Sequence, residues 1–337
     1  MQKSGSALEN KAEGEKETGR APLHRVQQAA FFLLVFLCLT RFFTPPLALA
    51  CGAIFVLIFE NPFPDHSKRV SKVLLQICVV FLGFQMNFAE LVRVGVSGWI
   101  FASFSIAFTL GLGLLIGRGL RLQGKTSLLI SSGTAICGGS AIAAVGSVIG
   151  ANGAQMSMAL GTVFMLNAVA LYLFPAIGHL LHLSQDQFGL WAGIAIHDIS
   201  SVVGAASFYG DRALEVATAV KLSRTLWIVP VSLLVAVVLR ARHAANGTVC
   251  NKSKIQIPYF IGFFVLASFA RQWIPGMEQM APTIGHIAKL GLTVTLFLVG
   301  TGLSRATLRA AGWKSLLQGV TLWIFISGIS LVAILYL

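Results

Sequence analysis

Two long apolar runs are interrupted near their centres by clusters of glycine, hydroxyl and ionisable residues. They are Ser131-Ser-Gly-Thr-Ala-Ile-Cys-Gly-Gly-Ser-Ala141 and Gly193-Ile-Ala-Ile-His-Asp-Ile-Ser-Ser-Val-Val-Gly204. The solvent decides what such interruptions mean. With 56% hydrophobic and 11% charged residues in 337 and a mean hydropathy of +0.80, the chain carries more apolar surface than one water-soluble core can hide. An all-α polytopic membrane protein is expected. In a bilayer every backbone N–H and C=O must find a partner, so a broken helix persists only where protein or a water-filled cavity supplies one. The freed helix ends can then act as ligands.

Apolar spans of membrane-crossing length fall at about 27–42, 45–60, 71–88, 96–117, 127–149, 155–181, 189–209, 213–239, 256–271, 283–303 and 313–336, about eleven in all. Lys and Arg should collect in cytoplasmic loops. With the N-terminus inside, the inner segments hold Lys3, Lys11, Lys16, Arg20, Arg25, Lys68, Arg69, Lys72, Arg118, Arg121, Lys125, Arg240, Arg242, Lys252, Lys254, Arg305, Arg309 and Lys314. The outer segments hold only Arg41, Arg93, Arg212 and Arg271. This asymmetry predicts a cytoplasmic N-terminus and a periplasmic or extracellular C-terminus. Residues 1–26 mix charged residues with Gly and Ser and read as a disordered cytoplasmic tail, not a signal peptide, preceding one transmembrane domain over 27–337.

The net charge of +13 is spread over five cytoplasmic segments, so topology and anionic lipid explain it without a nucleic-acid partner. Several motifs are decoys. Gly119-Leu-Arg-Leu-Gln-Gly-Lys-Thr126 matches the phosphate-loop pattern, yet it joins two membrane spans where the loop requires a preceding buried strand. Ala48-Leu-Ala-Cys51 resembles a lipoprotein cleavage site but follows too long a segment, which carries Pro45-Pro46. The five cysteines (Cys38, Cys51, Cys78, Cys137 and Cys250) have no paired metal-ligand spacing. No metal or cofactor is expected.

In the first broken segment, Gly133, Gly138 and Gly139 lie within seven residues beside Thr134 and Ser140. Small residues also serve tight helix packing, but this density is enough to unwind a turn. A half-helix from about Ser140 to Ile149 would then aim its N-terminal amides at the membrane centre, where an anion is the natural ligand. The second segment holds Asp198, the one carboxylate clearly inside a span, next to His197 and near Ser200 and Ser201. A buried acid should face a cavity or a cation. His197 reads either as a hydrogen-bonded core histidine or as a proton carrier. Lys221 and Arg224, three apart in the eighth span, are either interfacial side chains reaching for the headgroups or buried cations that neutralise Asp198 or hold an anion. Ala135-Ile136 and Ala195-Ile196 are followed at the same distance by Ser140 and Ser200. A longer echo relates Gly83–Gly95 to Gly300–Gly312, on opposite sides of the membrane by the charge count, as in inverted-repeat transporters.

From about Leu74 onward the chain resembles the YeiH-type family of bacterial inner-membrane proteins, often named for sulfate export. The resemblance rests on Gly133-Thr-Ala-Ile-Cys-Gly-Gly-Ser-Ala-Ile-Ala-Ala, on Ile196-His-Asp followed by Val202-Val203-Gly204-Ala, and on Lys221-Leu-Ser-Arg224. It implies a fold similar to cation/proton antiporters and bile-acid symporters, with inverted repeats, two discontinuous helices and homodimers.

The resulting expectation is a secondary transporter, not an enzyme, exporting a small anion such as sulfate or a sulfur-containing acid across the bacterial inner membrane. Thr134, Cys137, Gly138, Gly139, Ser140, Ser200 and Ser201 would meet the substrate, with Lys221 and Arg224 as charge partners. His197 and Asp198 would form the site for a coupling proton or sodium ion. A passive anion channel could be lined by the same residues. A membrane-embedded enzyme would need a second intramembrane acid or a metal cluster.

Overall fold

The computed structural model describes residues 25–40, 43–59, 61–245, 259–303, 309 and 311–336, with only the backbone for 90–101 and 242–245. The expected tail, apart from Arg25 and Val26, lies outside these residues, as does much of the second half of the Gly300–Gly312 echo.

Among the described residues every regular element is an α-helix. The helices are α1 (Arg25–Cys38), α2 (Pro45–Phe59), α3 (Pro64–Gly83), α4 (Phe88–Gly119), α5 (Gly124–Ala135), α6 (Gly139–Ile149) and α7 (Gly153–Leu180). They continue with α8 (Gln185–Ala195), α9 (Ile199–Tyr209), α10 (Asp211–Thr225), α11 (Ile228–Ala245), α12 (Tyr259–Trp273), α13 (Met277–Gly300) and α14 (Trp313–Leu335). Five stretches are long and apolar enough to cross a membrane by length and composition: Ala102–Gly119, α7, Asp211–Ala241, α13 and α14. The shorter apolar helices are α1, α2, α6 and α9.

Polarity is distributed as a bilayer requires. Phe32, Phe36, Ile58, Phe104, Leu234 and Val332 are among the large apolar side chains on the outside, while Ser131, Ser132, Thr134, His197, Lys221, Arg224 and Gln318 are buried. A water-soluble fold sorts these residues the other way.

Several expected boundaries move, the fourth span starting at Phe88 and the tenth at Met277. The third span begins at Pro64 and not near 71, because Pro at the first turn is preorganised for a helix start; Asp65, Lys68, Arg69 and Lys72 therefore occupy its opening turns. The eighth span is two helices, broken at Leu226-Trp227. Pro230 explains this, since it lacks an N–H and its ring crowds the carbonyl of Leu226 four residues earlier.

Packing divides the helices into two groups. In one, α3 and α13 lie side by side, with α2 against α13 and α12 against α3. The α2–α13 crossing is backbone to backbone: a Cβ on Gly52 would lie 2.2 Å from the Phe297 carbonyl oxygen, and one on Gly300 would lie 2.4 Å from that of Leu49. Phe31 of α1 closes this group against Phe55, Phe63 and Phe297. The other group gathers α4 through α11 with α14. There, Gly113 and Gly117 make room for Ser131 and Ser127 of α5. Gln318 of α14 donates to the Gly113 carbonyl at 2.8 Å and to the Ser131 hydroxyl at 3.1 Å. The phosphate-loop look-alike joins α4 to α5, and its Lys125 donates to the Gly150 carbonyl at 2.9 Å, beyond the end of α6. Contacts between the groups run chiefly through α9, which touches α2 and α13, and through α12 on α4.

Candidate functional site

Both interrupted segments break where glycine and the ionisable pair stand. The helix α5 stops at Ala135 and α6 starts at Gly139; α8 stops at Ala195 and α9 starts at Ile199. The two breaks correspond residue for residue. Ala135 and Ala195 end the first half-helix, Ile136 and Ile196 follow it, Gly138 and Asp198 are the N-caps, and Ser140 and Ser200 are second in the next half-helix. Gly138 has φ +68°, a conformation that glycine adopts without a Cβ penalty. The breaks also touch each other, since a Cβ on Gly138 would lie 3.4 Å from the Cβ of Asp198.

Lys221 and Arg224 stand one turn apart on α10, at 0% and 1% exposure, so neither reaches a membrane interface. Each serves one break. Lys221 Nζ donates to the Ile196 carbonyl at 2.5 Å, at the end of α8. The Arg224 guanidinium donates to the Ala135 carbonyl, at the end of α5, and at 2.7 Å to the Ser105 hydroxyl of α4. A helix C-terminus carries about half a negative charge, so a cation there meets both an orphan carbonyl and a dipole. No ion pair joins either cation to Asp198 among the described residues.

The second half-helices are treated unequally. Asp198 caps α9, its carboxylate accepting from the Ser200 amide at 3.1 Å and from the Ser200 hydroxyl. At the equivalent position Gly138 has no side chain, and α6 receives no side-chain cap. Its start is open: Ser140 is exposed and Gly139 and Asp198 are partly so. Cys137, between Ile136 and Gly138 in the first break, is buried. Ser201 is buried one residue beyond Ser200.

Two residues that the sequence reading passed over complete the junction. Asn167 of α7 accepts with its Oδ1 from the amides of His197 at 3.1 Å and Asp198 at 3.3 Å, so it holds the second break in shape. Trp323 of α14 sits with its ring 6.5 Å from that of His197. A lone amide inside the apolar run Met165-Leu-Asn-Ala-Val169 was the available signal for Asn167; Trp323 had none. Several buried polar atoms here have no protein partner, namely Thr134 Oγ1, Asn167 Nδ2, Arg224 Nε, Trp323 Nε1 and both ring nitrogens of His197. Unpaired polar atoms in a low-dielectric interior are costly, and a polar ligand or ordered water offsets that cost. Among the described residues no three His, Cys, Asp or Glu side chains converge as a metal site would require.

The family described as Conserved hypothetical protein 698 matches residues 32–319. A UPF0324 membrane protein of Bacteroides thetaiotaomicron is 48% identical over 295 residues, covering 87% of this chain and 86% of the relative. Those of Bdellovibrio bacteriovorus and Porphyromonas gingivalis are 45% identical over 311 residues and 48% over 301, covering 92% and 88% of this chain and 95% and 88% of theirs. No solved structure matches. With broken apolar helices, an apolar exterior and relatives aligned over nearly the whole length, this chain belongs to the UPF0324 membrane protein family, the one to which its YeiH-type motifs pointed.

Proposed function

We propose that this protein is a secondary carrier of a small anion, sulfate or a sulfur-containing acid, in the bacterial inner membrane. The observation that carries the reading is the uncapped N-terminus of α6, open at Ser140, where two broken helices meet beside two buried cations. Helix N-terminal amides and fixed positive charge form an anion site without an enzyme's nucleophile or metal. Discontinuous helices around a midplane site, arranged as inverted repeats, are the recurring plan of secondary carriers. In this reading the chain crosses the membrane about eleven times, with the N-terminus inside and the C-terminus outside, and works as a homodimer.

Thr134, Cys137 and the stretch Gly138 to Ser140 form the anion's side of the junction, with Ser200 and Ser201 facing it. Lys221 and Arg224 supply the field while their hydrogen bonds hold the two break carbonyls. His197 and Asp198 take the coupling proton or sodium ion, because an ionisable pair at the break is where charge uptake alters the same field.

Counterflow in proteoliposomes loaded with sulfate, small sulfonates or carboxylates tests this. Saturable uptake stimulated by anion on the far side, and driven by a proton or sodium gradient, is the expected result. Flux that rises linearly with concentration would mean a channel, and no flux of any anion would refute the reading.

A further inference from the structure

The balance of charge at the junction narrows the anion. The ionisable side chains meeting there are Lys221 and Arg224 from α10, Asp198 and His197 from the second break, and Cys137 from the first. The other elements packed on the junction contribute neutral groups among the described side chains: Ser105 from α4, Thr134 from α5, Asn167 from α7 and Trp323 from α14. The next ionisable groups along α10, Asp211 and Glu215, are already paired with Lys289 and Arg212. The four half-helix ends bring two positive and two negative partial charges, which cancel. By formal side-chain charge, two cations stand against one carboxylate, an excess of one positive charge. The start of α6 in turn lacks the carboxylate that Asp198 gives α9.

We infer that the site is built for a singly charged oxyanion, a sulfonate-type head or the singly protonated form of a sulfur oxyacid, and that a dianion such as sulfate binds only together with a proton. This rests on the anion-carrier reading above. In a medium of low dielectric an unbalanced charge is expensive, so occupancy should bring the junction to neutrality. A monoanion at the α6 amides does this alone. A dianion leaves one negative charge over, and a proton must cancel it; the ring nitrogens of His197, which no other protein group engages, and the Asp198 carboxylate are the groups at the junction that can take it. On Asp198 that place is the oxygen left free by the α9 cap, since the capping oxygen already accepts from the Ser200 amide and hydroxyl.

Isothermal titration of the purified full-length protein with methanesulfonate and with sulfate, at one pH in two buffers of different ionisation enthalpy, reads both affinity and protons. Methanesulfonate should bind with no net proton uptake. Sulfate should bind at least about tenfold more weakly and take up about one proton per anion, the number charge balance requires. Asp198→Asn adds one positive charge to the junction while keeping a capping oxygen; its sulfate binding should tighten relative to methanesulfonate and lose the proton uptake. Sulfate binding as tight as methanesulfonate without proton uptake in the unaltered protein would overturn the inference, whether or not the variant folds. So would an Asp198→Asn protein with unchanged preference. If neither anion binds, the carrier reading itself fails, which is a separate outcome.

Discussion

Asp198 caps a half-helix in this structure and, on the carrier proposal, also takes the coupling ion; two substitutions divide the two roles. As the N-cap of α9 its carboxylate satisfies the Ser200 amide at 3.1 Å and opposes the positive end of the half-helix. Replacing it with Ala removes both effects: roughly 0.5–2 kcal/mol for the cap and about 0.3–1 kcal/mol for the charge at the helix terminus. The loss should therefore be on the order of 1–3 kcal/mol. Asn caps helices about as well as Asp, so Asp198→Asn should lose only the charge term, about 0.3–1 kcal/mol. Transport should order the variants differently. Asn keeps size and geometry but cannot titrate, so gradient-driven uptake should vanish in both variants while Asp198→Asn remains folded. Unfolding titrations with a denaturing detergent give the stabilities, and proteoliposomes under a proton or sodium gradient give the uptake. If Asp198→Asn is as unstable as Asp198→Ala, the capping assignment is wrong. Gradient-driven uptake at the unaltered rate in Asp198→Asn would sink the coupling assignment.

Arg224→Gln should leave the Ala135 carbonyl unpaired, at about 1–3 kcal/mol, and thermal melts should show Arg224→Lys recovering part of it because a single ammonium cannot span both Ala135 and Ser105. Unchanged melts for the Gln variant would mean that the α5 end does not depend on this side chain. Gly52→Ala forces a Cβ within 2.2 Å of the Phe297 carbonyl oxygen, so the α2–α13 crossing should separate and stability fall by roughly 1–3 kcal/mol or more; a variant with unaltered unfolding would contradict that contact. For topology, a cytoplasmic reporter fused near Gly247 and a periplasmic reporter fused after Leu337 should both be active, and finding the two positions on one side would mean that a crossing is miscounted.

Much of the helical layout was legible because a bilayer leaves the backbone few choices. Apolar runs became helices over nearly the residues expected, and the breaks fell at Ile136–Gly138 and Ile196–Asp198, where glycine density and an intramembrane acid had marked them. The third break, at Leu226-Trp227, was less visible, since Pro230 acts on the carbonyl a full turn before it and kinks some apolar helices without ending them. What the sequence determined by itself is therefore local: which stretches are apolar, where backbone hydrogen bonding must fail, and which ionisable residues lie inside. Only the tertiary structure decided what those groups face. Lys221 and Arg224 turn to the carbonyl ends of two different half-helices, a pairing across 25 and 89 residues that helical periodicity cannot encode. Asn167 holds the His197–Asp198 turn from 30 residues away. The capped start of α9 and the uncapped start of α6 stand side by side only because the fold brings Gly138 against Asp198, joining two breaks that the chain keeps sixty residues apart.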